Sequence, residues 1–152
     1  MNRTLYHGSN VQVEQPQVKV AGFYKDFGFG FYCSELERQV KRWAMTKRPQ
    51  HIVNVYEFED DDSLNKHLFP EMTDEWLDFV VDCRRGKEHT YDIVEGPMAD
   101  DTIWDYVEDF LNGNITREAF WVLARFKHPT HQIVFCTEQS LRHLTFKTCY
   151  EL

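Results

Sequence analysis

The sequence has no long apolar run. No stretch approaches the roughly 20 residues that a membrane-spanning helix requires, so no membrane association is expected. It has no excess of positive charge either: seventeen Lys and Arg stand against twenty-five Asp and Glu, a net charge of −8. Neutralising phosphates takes a basic face, so the balance argues against a general nucleic-acid binder. It leaves room for an enzyme that touches nucleic acid locally. Cys-x-x-Cys pairs are missing; Cys33, Cys83, Cys136 and Cys149 are scattered and none has a metal-ligand spacing. No apolar signal region lies between Met1 and Tyr6, which argues against export by a cleaved signal. Scattered cysteines in an unexported chain read as free thiols in a reducing cytoplasm. Internal repeats, low-complexity stretches and Pro/Gly-rich linkers are absent, so residues 1–152 read as one domain. Against these absences, 42% of the residues are hydrophobic and 15% aromatic, enough for a true core.

Periodicity sets the expected elements. Arg3 to Tyr6 reads as a short strand. Val11 to Val20 alternates weakly around Pro16, as an extended or edge segment does. Phe31 to Cys33 continues a glycine-punctuated stretch as a strand. Ser34 and Glu37 have capping-box spacing and open a helix with Leu36, Val40, Trp43 and Ala44 on its apolar stripe. Ile52 to Phe58 is rich in β-branched and aromatic residues and reads as a strand. It runs into the acidic cluster Glu57 to Asp62. Helices follow over Thr73 to Arg85, stopped at Gly86, and over Ala99 to Leu111, stopped at Gly113. Thr116 caps a helix to Phe126, and Thr137 caps a short one to His143. Tyr91 to Glu95, Gln132 to Cys136 and Thr145 to Glu151 read as strands. The order β…β-α-β-α-β-α-α-β-α-β lacks regular βαβ alternation and points to an α+β fold.

Three segments carry candidate chemistry. Leu5-Tyr6-His7-Gly8-Ser9 places a histidine and a glycine at a strand end. Glycine admits a ligand close to the backbone, and imidazole can hold a ribose hydroxyl or an amide; a strand-end histidine is also a common structural side chain. Asp26-Phe27-Gly28-Phe29-Gly30-Phe31-Tyr32 is no dinucleotide fingerprint, because Cys33 stands where the third glycine belongs. Tyr32 and Trp43, eleven residues apart, could flank one slot, and aromatic faces about 7 Å apart take a flat heterocycle between them. Core packing is the competing explanation of Trp43. His131-Gln132-Ile133-Val134-Phe135 starts a strand with two polar residues suited to a ribose hydroxyl or simply to water. Asp100 and Asp101 suit a helix start as caps, and otherwise a cleft wall; Asp26 suits an anchor for the glycine-bent segment.

Together the three segments resemble the ADP-ribosyltransferase superfamily. His7-Gly8-Ser9 is similar to the first motif of its diphtheria-toxin and poly-ADP-ribose-polymerase branch, and Phe27 to Tyr32 to that branch's Phe-Gly-x-Gly-x-Tyr strand. Trp43 falls where the branch places a second stacking aromatic. The chain also resembles an uncharacterised bacterial family of the superfamily with a Tyr-Asp-Ile-Val-x-Gly-Pro-x-Ala-Asp-Asp segment, as in Tyr91 to Asp101, and a Gln-containing last strand. The resemblance spans Leu5 to Leu144. It implies two small β-sheets forming an NAD cleft, with helices around them. His7 would hold the adenosine ribose, the Gly8 backbone the nicotinamide carboxamide, and Tyr32 with Trp43 the nicotinamide ring. The third motif is usually a Glu on the nicotinamide ribose. Here Gln132 stands as the catalytic candidate, with His131 the other match, and the charge is missing. Poly-chain elongation therefore drops out. What remains is a mono-ADP-ribosyltransferase using NAD as substrate, an NAD glycohydrolase, or a binding-only module for NAD or ADP-ribose. The resemblance implies no metal. It leaves the acceptor open among protein, RNA, DNA and small molecules, and suggests a toxin or phage-defence effector with an antitoxin partner.

The cysteine pattern yields a direct expectation. Titration of the denatured protein without reductant should count four thiols, and fewer would contradict the unpaired assignment.

Overall fold

The computed structural model describes residues 2–18, 25–99, 101–126 and 129–152, with the backbone alone at 101, 102 and 126. The chain runs β1 (Asn2–Ser9), β2 (Phe31–Cys33), α1 (Glu37–Ala44), β3 (Ile52–Glu59), β4 (Lys66–Leu68), α2 (Asp74–Arg84), β5 (Ile93–Gly96), α3 (Asp101–Leu111), α4 (Arg117–Leu123), a 3-10 turn (Ala124–Phe126), β6 (Gln132–Phe135), α5 (Glu138–Leu141) and β7 (Leu144–Glu151). The fold is mixed α+β with two open sheets. One is antiparallel in the order β1-β3-β7; the other has the order β2-β6-β5-β4, with β4 parallel to β5. Among the described residues no helix is long and apolar enough to cross a membrane.

Strand alternation divides the interior into layers. Phe31 and Cys33 of β2, Ile93 of β5, and Ile133 and Phe135 of β6 turn one way. They meet Leu5, Tyr56 and Phe58 of the other sheet in an apolar layer. The intervening residues Tyr32, Val94 and Val134 turn the opposite way and pack with Trp76, Leu77, Val80, Ile103, Val107 and Phe120 of α2, α3 and α4. Helix α1 covers the outer face of the three-stranded sheet, with Val40 and Ala44 against Val53. Gly8 sits at that contact. A Cβ there would stand 3.0 Å from the Ala44 nitrogen and 3.1 Å from the Val40 oxygen, so the missing side chain lets α1 lie close. The two sheets join where Tyr6 and Ser34 exchange backbone bonds of 2.8 and 2.9 Å.

Several local expectations hold. Thr116 and Thr137 accept backbone N–H bonds as N-caps of α4 and α5, and the structure adds Thr73 as the N-cap of α2. The four cysteines are unpaired. The capping box at Ser34 does not form: α1 starts at Glu37 with Leu36 as N-cap and no side-chain cap. The Ser34 hydroxyl accepts instead from the Leu36 N–H at 3.0 Å, closing a tight local turn before the helix. Residues 11–18 form no strand, and Val20 lies outside the described residues. Val11 and Val13 are tied by the side chains of Asn54 and Tyr56 rather than by ladder bonds. The parallel edge strand β4 was not expected.

A buried ionic knot fixes the glycine-bent segment. Asp26 and Arg84 are both buried, and the Asp26 Oδ1 accepts from Arg84 Nη2 at 2.6 Å and Nε at 3.1 Å. Its Oδ2 accepts from the Ala99 N–H at 2.8 Å and from Gln132 Nε2 at 3.3 Å. Arg84 also reaches Glu108 at 3.1 Å and lies 3.7 Å from the Trp104 ring centroid. Gln132 therefore turns to the helical layer, where Nε2 also donates to the Pro97 carbonyl at 3.2 Å. Breaking a buried pair from one side leaves a stranded charge and costs about 3–5 kcal/mol, whereas losing a hydrogen-bond donor to it costs about 1–3 kcal/mol. In urea denaturation we expect Arg84→Met to lower stability most, Gln132→Ala to follow with a loss of about 1–3 kcal/mol, and an exposed Lys147→Ala to change little. An unchanged midpoint for Gln132→Ala would contradict its structural role.

Candidate functional site

The first two sequence segments come together at the joint between the sheets. His7 Nδ1 lies 2.6 Å from the Tyr32 carbonyl oxygen, and its ring stacks on Phe31 at 4.2 Å. The residue is half-buried. Tyr32, expected as one wall of a slot, is 7% exposed, with its ring among the residues under α2–α4. Its hydroxyl donates to the Gly28 carbonyl at 2.7 Å and accepts from the Phe27 N–H at 3.1 Å. Burial, and secondarily the Asp26 charge, push the phenol well up, so it stays neutral and donates. The Lys25 ammonium lies 5.1 Å from the centre of the Tyr32 ring. Trp43 is half-buried on α1, and no ring contact joins it to Tyr32 among the described residues. Tyr32 lies in the core layer under α2–α4 and Trp43 on the helix that covers the other sheet, so the slot expected between the two rings does not form. Gly28, with φ of +84°, supplies the bend that brings the tyrosine back onto its own segment.

The third segment joins through His131. Its backbone is held from α1 by Gln39, which accepts from the His131 N–H at 3.1 Å and donates to its carbonyl at 2.7 Å. Its ring lies on the side of β6 opposite to Gln132. The Glu35 N–H donates to Nδ1 at 3.1 Å, so the ring proton sits on Nε2, which donates to Glu95 at 2.7 Å. Glu95, on β5, was missed in the sequence reading. Its two-residue spacing from Ile93 puts this carboxylate on the face turned toward the other sheet, and that spacing was the available signal. Arg3 forks onto both Glu95 oxygens at 3.0 and 2.7 Å and also reaches Glu35 at 2.7 Å. Asp100 lies outside the described residues, and at Asp101 the backbone begins α3.

Ser34, His131 and Glu95 have the order of a hydroxyl–imidazole–carboxylate relay, with the Ser34 Oγ 3.1 Å from Nδ1. Ser34 is fully buried, and its hydroxyl already accepts from the Leu36 N–H. It offers no face to a substrate and is not a nucleophile. Glu35, Glu95 and His131 also bring ligand-type atoms within 4.8 Å of one another. The Arg3 guanidinium already bridges the two carboxylates, supplying the positive charge a metal would bring. Two carboxylates against one guanidinium leave the cluster with a net charge of about −1. Beside it, Arg3 and Asp60 to Asp62 line an open recess of about 540 Å³.

Burial alone would raise the Glu95 carboxyl, but the hydrogen bonds from His131 and Arg3 outweigh it and hold the group at about 2. A glutamate in the unfolded chain titrates near ~4.3. The folded value is depressed, so the stabilisation is complete above the unfolded value and fades as pH falls toward about 2. With solvent screening at this half-buried site, it is on the order of 1–2 kcal/mol. Urea midpoints measured from pH 6 to pH 2.5 should fall less steeply for Glu95→Gln than for the wild type. Parallel curves would contradict the depressed carboxyl.

No curated protein matches the chain. A family model described as a protein of unknown function, DUF3990, matches residues 3–146, from Arg3 of the carboxylate cluster to Phe146 of β7. The match takes in His7, Tyr32, Glu95 and His131, and the chain belongs to the DUF3990 family.

Proposed function

We propose that the chain is a mono-ADP-ribosyltransferase that takes NAD as donor and modifies a protein or nucleic-acid acceptor. One observation carries the reading: three segments up to 124 residues apart meet at β2. His7 bonds to the Tyr32 carbonyl, Tyr6 to the Ser34 backbone, and His131 to the Ser34 hydroxyl. These are the segments whose residue types suit a dinucleotide: an imidazole for a ribose, aromatic rings for nicotinamide and a polar third position. In this reading His7 holds the adenosine ribose and the Gly8 backbone the carboxamide. Trp43 provides a ring face for nicotinamide, and Tyr32, its ring turned under α2–α4, serves through its carbonyl, which holds His7. Gln132 keeps the segment in place through Asp26, and the polar third position passes to His131. The two small sheets would then be the walls of the donor cleft. A toxin or phage-defence role, with an antitoxin covering the cleft, is the setting that the resemblance suggests.

The test is incubation with NAD, followed by mass spectrometry of protein and nucleic acid and by assay of free nicotinamide. An adduct of one ADP-ribose together with free nicotinamide is the expected result. Nicotinamide without an adduct would make the protein a glycohydrolase. Calorimetric binding without turnover would make it a sensing module, and no binding at all would sink the proposal. His7→Ala should weaken NAD binding about tenfold, the worth of one hydrogen bond of ~1.4 kcal/mol, with the circular dichroism spectrum unchanged. Equal affinity would remove His7 from the site.

A further inference from the structure

The reaction proposed above breaks the bond between ribose C1′ and the nicotinamide nitrogen. The bonding electron pair goes to the nitrogen, and nicotinamide leaves neutral. C1′ carries positive charge until a lone pair of the acceptor forms the new bond and the acceptor's proton passes to solvent. Such a transition state is favoured by an anion fixed near the ribose before the reaction begins. Neither polar residue at the start of the third segment supplies one. Gln132 is neutral and buried on the helical side, and the His131 Nδ1 accepts from the Glu35 N–H.

We infer that Glu95, on the neighbouring strand β5, provides this negative charge, with His131 as its positioning residue; the inference rests on the transferase reading. The His131 Nε2–H grips one Glu95 oxygen at 2.7 Å, and the Arg3 fork holds both, so the carboxylate plane is set from two sides. The Glu95 side chain is 18% exposed, buried enough to strengthen its field and open enough to be reached. Among the described residues its Oε1 takes a single bond, from Arg3 at 3.0 Å, and retains a lone pair for a ribose hydroxyl. Arg3 does not cancel the field, because Glu35 shares the same guanidinium at 2.7 Å. The charge that the superfamily resemblance places within the last segment is thus moved one strand over, with an imidazole between.

The experiment measures nicotinamide release and NAD affinity for the wild type, Glu95→Gln, His131→Ala and the double variant. Glu95→Gln is expected to lower kcat about 10²–10³-fold, as for loss of one preorganised electrostatic contact, with NAD affinity within about threefold. His131→Ala should lower kcat by less, and should cost nothing further in the Glu95→Gln background, since it acts through the carboxylate. Glu95→Asp, which keeps the charge, serves as the folding control and should retain more activity than Glu95→Gln. An active wild type with undiminished Glu95→Gln turnover overturns this inference and leaves the transferase reading standing. Independent, multiplicative losses would overturn the positioning role. A wild type that neither binds nor cleaves NAD overturns both.

Discussion

The Asp26–Arg84 pair is the constraint from which the site follows. A carboxylate this deeply buried is costly unless its charge is matched and its lone pairs are filled. Arg84 matches it from α2, the Ala99 N–H binds it ahead of α3, and Gln132 binds it from β6. Three parts of the fold are thereby tied to the residue that opens the glycine-bent segment. That segment leads within five residues into β2, and β2 is followed directly by Ser34, where both sheets and all three polar segments meet. Apolar packing under α2–α4 supplies the bulk of the burial. The ionic knot decides how the segment enters it.

β6 separates this structural work from the candidate chemistry by strand alternation. Gln132 and His131 are adjacent in sequence and lie on opposite faces of one sheet. One stabilises the helical side; the other enters the polar cluster between the sheets. Arg3, Glu35, Glu95 and His131 come from four places in the chain, and each makes at least one hydrogen bond to another member of the cluster. Such a network holds its geometry without backbone strain and keeps a negative charge in a partly dry place.

Much of this was legible in the sequence. The long alternating β3, the threonine caps and the glycine stops at Gly86 and Gly113 rest on local chemistry, and local chemistry survives folding. The failures are tertiary. Ser34 looked like a helix cap, yet its hydroxyl is drawn into a turn and toward His131, 97 residues away. β4 has three residues, too short for a period to show, and it exists through its pairing with β5. The parity of β6 could not be read because β6 is buried on both faces, leaving no polar–apolar alternation to tell Gln132 from His131. Glu95 was overlooked because one acid near a strand end reads as solvent-facing, while its register with Ile133 places it inward.

Helix α1 touches the first segment at one place and the third at another. The Val40 and Ala44 backbone lies against Gly8, Gln39 clasps the His131 peptide, and the helix carries Trp43. A side chain added at Gly8 would press on the backbone of this helix, and Gln39 ties the same helix to the His131 peptide on the other sheet, so the two positions are coupled without touching. Change at one segment is therefore conditional on the others, and drift in this fold should proceed by compensated sets of substitutions rather than by single ones.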